Sequence, residues 1–213
     1  MTPRDAAAYA REICGLAPVI PVLVLDDAAH ARPLAEALVA GGLPALEVTL
    51  RTPAALEAIR AMAEVPGGVV GAGTLIRPAD VRAAKAAGAR FGVSPGVTDE
   101  LLAACEAEDL PLLGGVATVS EAMRLLARGY EVAKFFPAEA SGGAAALKAF
   151  AGPLPQIGFC PTGGVTEANA PDYLELSNVL CVGGSWVASA DLMKAGEWGE
   201  IEALARTASQ LAR

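Results

Sequence analysis

Short apolar runs rich in β-branched and aromatic residues recur along the chain. They fall at Pro18–Leu25, Ala45–Leu50, Val69–Thr74, Arg90–Ser94, Leu110–Val116, Glu131–Phe136, Gln156–Cys160 and Val179–Val182. Between them lie alanine-rich stretches with helical periodicity, such as 28–40, 53–63, 79–87 and 118–127. Several of these stop at glycine (Gly41-Gly42, Gly88, Gly129), the residue that ends a helix most cheaply. An amphipathic segment opens the chain over 2–14 and another closes it over 198–211. Strands alternating with helices predict a parallel sheet. Eight such units, at a period of roughly 22 to 25 residues, match a (β/α)8 TIM barrel with an extra N-terminal helix. An open doubly wound sheet rarely needs eight units so regular. No linker or shift in composition divides the chain, so residues 1–213 read as a single barrel domain.

In such a barrel the chemistry belongs at the carboxyl ends of the strands. The pattern of polar positions agrees. In the second run, alternation puts Glu47, Thr49 and Arg51 on one face and Leu46, Val48 and Leu50 on the other. The apolar set suits the covering helices, which sends the polar set into the lumen. The sixth run, Glu131-Val-Ala-Lys-Phe-Phe-Pro137, carries Lys134 in its middle, with Val132 and Phe136 as its face-mates. Burial disfavours an ammonium, so an inward lysine is either paired or there to react as a neutral amine. A neutral amine condenses with a ketone or aldehyde to an imine. Pairing Lys134 with Glu47 would serve that chemistry as well, and a structural ion pair inside the barrel remains the alternative. The other lysines (Lys85, Lys148, Lys194) lie in helix-like or loop-like contexts that reach water.

The remaining strand ends are small or polar. The third ends Gly71-Ala-Gly-Thr74, and the fourth ends Ser94-Pro95-Gly96. The seventh ends Cys160-Pro-Thr-Gly-Gly-Val165, and the eighth ends Val182-Gly-Gly-Ser185. Paired glycines after the last two strands of a barrel expose backbone N–H groups where a phosphate is usually held. Tight turns are the alternative.

Composition narrows the choice. A net charge of −8 with no basic cluster excludes nucleic acid, so an anionic ligand must be held by amides or one or two arginines. Hydrophobic residues make up 54% of the chain and mean hydropathy is +0.43, yet no apolar run reaches the roughly 18 residues of a membrane span. The first residues lack the features of a signal peptide. A cytoplasmic location follows as the default, with the four cysteines reduced and in no C-x-x-C spacing. One histidine, His30, cannot build a zinc or iron site, so chemistry without metal or other cofactor is expected. An apolar-walled amine, a carboxylate, an arginine and a phosphate cradle together describe an enzyme acting on a phosphorylated 2-keto acid through an imine.

With those residues in place, the chain resembles the 2-keto-3-deoxy-6-phosphogluconate (KDPG) aldolases, also described as 4-hydroxy-2-oxoglutarate aldolases. The resemblance spans nearly the whole chain. It rests on LEVTLRT (46–52), VGAGT (70–74), SPG (94–96), KFFPAE (134–139), FCPTGGV (159–165) and GGSW (183–186). It implies a class I aldolase, usually a homotrimer, that uses no metal. It implies Lys134 as the Schiff-base lysine and Glu47 as the general acid/base. Arg51, Thr74 and Thr162 match positions that hold the keto-acid carboxylate, and Pro95 lines the same pocket. Gly163, Gly164, Gly184 and Ser185 match the phosphate site. The implied reaction cleaves KDPG to pyruvate and glyceraldehyde 3-phosphate, with 4-hydroxy-2-oxoglutarate as a further substrate. The galactonate epimer or another 2-keto acid is an alternative, and so is a non-catalytic barrel that binds a sugar phosphate. The family often has proline where this chain has Gly114 and Val119, a change expected to loosen the loop after the fifth strand.

Overall fold

In the computed structural model, which describes residues 1–212, the eight runs form parallel strands. They are β1 (Val19–Leu23), β2 (Ala45–Thr49), β3 (Val69–Gly73), β4 (Phe91–Val93), β5 (Leu112–Val116), β6 (Val132–Phe135), β7 (Gly158–Pro161) and β8 (Val182–Gly184). Arg213, the last residue of the predicted domain, lies outside the described residues. Consecutive strands pair from β1 through to β7, and β8 pairs with β1. Parallel bridges between Phe159 and Val179 and between Thr162 and Gly183 close the ring. The fold is a (β/α)8 barrel.

The helices are α1 (Pro3–Gly15), α2 (Ala31–Ala40), α3 (Ala55–Ala63), α4 (Pro78–Ala86), α5 (Asp99–Ala107), α6 (Val119–Arg128), α7 (Gly143–Ala151), α8 (Ala170–Leu174), α9 (Ala190–Ala195) and α10 (Trp198–Ser209). Their ends follow local chemistry. Thr2 and Asp5 form a capping box on α1, and Thr118 and Glu121 form one on α6, each satisfying orphan amides of the first turn. Gly42, Gly88 and Gly129 take φ of +91°, +98° and +100°, which stops the helix before each of them.

Alternation along each strand separates two cores. Leu46, Val48, Phe135 and Phe159 pack outward into one cluster with Leu34, Leu38 and Ile59 of the helices. Each such fully buried side chain contributes about 1.5–3 kcal/mol. Inward residues near the amino ends of the strands, including Ile20, Phe91, Leu113 and Val132, form a second cluster with Ala10, Ile13 and Cys14 of α1. The extra helix therefore plugs the amino-terminal mouth and leaves the carboxyl-terminal mouth open.

One predicted strand moves. The run expected at Val179–Val182 is in fact split: Leu180 donates its N–H to the Phe159 carbonyl of β7, while β8 itself is Val182–Gly184, paired with Val19, Ile20 and Pro21. Glycine is a poor strand former, so propensity places the end too early. Here glycine is required, because a Cβ on Gly183 would collide with the Thr162 side chain and one on Gly184 with the Trp186 ring.

Candidate active site

The inward face of β2 carries Glu47 and Thr49, and Arg51 follows at the rim. Thr49 donates its hydroxyl to the Leu23 carbonyl at 3.0 Å, bracing β2 against β1. Glu47 is 3% exposed and reaches across the lumen. Its Oε1 accepts a hydrogen bond from Lys134 Nζ at 3.2 Å. Gly73 on β3 leaves the room: a Cβ there would overlap the Glu47 carboxylate. Lys134 is 4% exposed. Its ammonium also lies over the Phe136 ring, 5.3 Å from the centroid, and so faces one carboxylate and one aromatic wall. Lys85, Lys148 and Lys194 are exposed.

At the rim, Arg51 Nε donates to the Thr74 hydroxyl at 3.2 Å. Its Nη groups have no acceptor among the described residues and are free for an anion. Thr74 holds φ of +63°, a left-handed conformation that a β-branched residue adopts only under constraint. Its side chain is thereby aimed at Arg51 rather than along the strand.

A cavity of about 260 Å³ opens on this mouth, lined by Arg51, Phe136, Thr162, Gly163, Gly164, Val165, Gly184 and Ser185, with Val22, Val24 and Gly183 closing it. A larger cleft of about 540 Å³ beside Tyr9 and Lys85 lies by α1, on the plugged end. Gly163 and Gly164 take φ of +98° and +80°, which a side chain would resist. The N–H groups of Gly163, Gly164 and Val165 have no acceptor among the described residues, and all three residues face the cavity. The segment after Ser185 is only a 3-10 turn, Trp186–Ala188, and α8 begins five residues beyond Val165. An anion here would be held by amides, with no long helix dipole aimed at it.

Most of the predicted residues thus converge. Lys134 and Glu47 pair at the floor, Arg51 and Thr74 pair at the rim, and Thr162, Gly163, Gly164, Gly184 and Ser185 line the cavity. Pro95, like Glu47, Thr74 and Lys134, is not among the residues that line that cavity. It is exposed, and its carbonyl packs against Gly115. Val22, Val24, Phe136, Val165 and Gly183 were not predicted as lining residues, although Phe136 follows from the alternation that places Lys134 inward. The loop after β5 is tied in its own way. The Glu121 carboxylate accepts from the N–H of Ala117 and Thr118 at 2.8 and 2.9 Å, and these bonds hold its pKa below the usual carboxylate range.

Comparison with known proteins gives the family. The family profile described as "Aldolase: KDPG and KHG aldolase" matches residues 10–204. The KHG/KDPG aldolase of Escherichia coli K12 is 51% identical over 205 residues, 96% of each chain. The Zymomonas mobilis ZM4 KDPG aldolase structure with 3-phosphoglycerate superposes with a TM-score of 0.91 at 50% identity, covering 100% of this chain and 98% of that one. The Legionella pneumophila KDPG aldolase structure holds pyruvate as a covalent carbinolamine. It superposes with a TM-score of 0.91 at 48% identity, covering 94% and 98%. The chain belongs to the KDPG and KHG aldolase family.

Proposed function

We propose that this lyase cleaves 2-keto-3-deoxy-6-phosphogluconate to pyruvate and glyceraldehyde 3-phosphate through an imine on Lys134. The observation that carries the reading is the buried Lys134–Glu47 pair, 3.2 Å apart at the floor of the open mouth. Glu47 takes a proton from the ammonium, and the freed amine attacks the C2 ketone. Glu47 returns the proton as the carbinolamine loses water to form the protonated imine. The imine accepts the electron pair of the C3–C4 bond as Glu47, again a carboxylate, takes the C4 hydroxyl proton. The aldehyde departs and leaves a pyruvate enamine. Glu47 protonates C3, and hydrolysis releases pyruvate and restores the amine.

Arg51, with Thr74 and Thr162, is assigned to the substrate carboxylate; fixing it sets which bond aligns with the imine. The free amides of Gly163 and Gly164, with Gly184 and Ser185, are assigned to the phosphate. Pro95 is assigned to the wall of the same carboxylate pocket. The relatives' names favour 4-hydroxy-2-oxoglutarate as a second substrate, yielding pyruvate and glyoxylate. One barrel domain, a homotrimeric assembly and a cytoplasmic location belong to the same proposal, the assembly being checked by light scattering. Among the described residues no helix is long and apolar enough to cross a membrane.

Borohydride reduction in the presence of pyruvate tests the mechanism. Peptide mapping should find the reduced adduct on Lys134. An adduct on Lys85, Lys148 or Lys194, or none, would overturn it.

A further inference from the structure

The three free amides of the glycine loop are aimed from behind. In a planar trans peptide the N–H of one residue points opposite to the carbonyl of the residue before it. The Thr162 carbonyl accepts from the Ala138 N–H at 2.8 Å, and the Gly163 carbonyl from the Glu139 N–H at 3.1 Å. The Gly164 carbonyl accepts from Asn169 Nδ2 at 3.1 Å. Holding these carbonyls on the far side turns the N–H groups of Gly163, Gly164 and Val165 into the cavity.

Glu139 is central to that support. It stands in the 3-10 turn Glu139–Ser141 that follows Pro137. Besides its N–H bond, its Cγ fills the space beside Gly164, where an added Cβ would come within 2.6 Å. Its carboxylate does not line the cavity and accepts instead from the Tyr173 hydroxyl. Tyr173 is 1% exposed and belongs to α8, the helix that Asn169 precedes. Burial and then the Glu139 carboxylate push the Tyr173 phenol well above its usual pKa, so it remains a donor across the working pH range. A carboxylate left loose beside an anion site would repel the anion; tied to Tyr173, it is kept on the far side of the loop.

We infer that Tyr173 is a positioning residue: by fixing Glu139, it sets the orientation of the amides of Gly163, Gly164 and Val165 and so the affinity for the phosphorylated end of the substrate. This rests on the assignment of those amides to phosphate. Tyr173→Phe should raise KM for KDPG about tenfold, at the modest end of what a misplaced binding group costs. Its kcat should change little, and inhibition by inorganic phosphate should weaken by the same factor. Turnover of unphosphorylated 4-hydroxy-2-oxoglutarate and borohydride trapping with pyruvate should match the parent enzyme. Glu139→Ala should reproduce the effect, Glu139→Gln, which keeps an acceptor for the phenol, should largely restore KM, and Tyr173→Phe with Glu139→Ala should be no worse than either alone.

Ser185→Ala and Gly164→Ala separate the two levels. If neither changes the preference for the phosphorylated substrate, the phosphate assignment itself fails. If they do, while Tyr173→Phe leaves KM for KDPG unchanged or slows both substrates equally, the positioning role fails. Should Tyr173→Phe not fold, Glu139→Ala at its exposed position interrogates the same contact and decides by the same criteria.

Discussion

Lys134 Nζ and Glu47 Oε1 meet at 3.2 Å although β6 and β2 stand four strands apart in the ring. Each side chain crosses half the lumen to reach the other, and each is about 95% buried, with side-chain exposures of 5% and 4%. Removing either charge strands its partner, which costs about 3–5 kcal/mol for a buried pair. Glu47→Gln is the least disruptive probe, because it keeps shape and one acceptor. We expect it to lower kcat by roughly 10²–10⁴, the usual worth of a positioned acid/base, while pyruvate still binds. Steady-state kinetics decide the matter, and undiminished turnover would remove Glu47 from the proton transfers.

Thr74 stores strain for the sake of its contact with Arg51. A left-handed non-glycine residue costs about 1–3 kcal/mol, and Thr74 sits at φ +63°. Thr74→Gly should therefore raise the melting temperature by about 2 °C or more. It should also raise KM for both substrates, since Arg51 loses the hydroxyl that accepts from its Nε. A variant that melts lower, or that binds both substrates as well as the parent, would contradict this trade.

The four cysteines should be inert in the folded state. Cys14, Cys105, Cys160 and Cys181 are all buried. Burial pushes the Cys105 thiol up to about 12. Hydrogen bonds that the Cys181 S–H donates to Cys14 and Cys160, then burial, push its thiol well above its usual value. Only the thiolate reacts appreciably. Ellman's reagent at pH 8 should titrate none of the four until denaturant is added, then all of them; a fast-reacting thiol in the native protein would be inconsistent with this packing.

Stability should fall in acid partly through Glu106. Its carboxylate accepts from Arg128 Nε and Nη2 at 2.8 and 3.0 Å and from the Tyr130 hydroxyl at 3.2 Å. The Arg128 hydrogen bonds, above all, hold its pKa below the usual carboxylate range. A group depressed in the folded state stabilises above its unfolded pKa, and that contribution is lost as pH falls through the folded value. Glu106→Gln should lower the urea midpoint at pH 7, by no more than about 1 kcal/mol of stability because the pair is part-exposed. The gap should close toward pH 3. A gap that persists in acid would assign the loss to packing.

Much of this protein is written locally. A two-residue alternation sorts Glu47 and Arg51 from Leu46 and Val48, and the helix stops at glycine come from backbone freedom, so the strands, their faces and the isolation of Lys134 are legible along the chain. The resemblance carried by LEVTLRT, KFFPAE and FCPTGGV added the roles. Ring closure decided the rest. That Lys134 faces Glu47, 87 residues away, depends on which strands stand opposite once eight of them tilt and close, and no local period encodes that. Closure also drew β8 onto Gly183 and Gly184, because only glycine leaves space for Thr162 and Trp186. The left-handed turn at Thr74 runs against the propensity of a β-branched residue, so only its surroundings could impose it. The bracing of the glycine loop by Glu139, Asn169 and Tyr173 joins segments that meet only in the folded barrel.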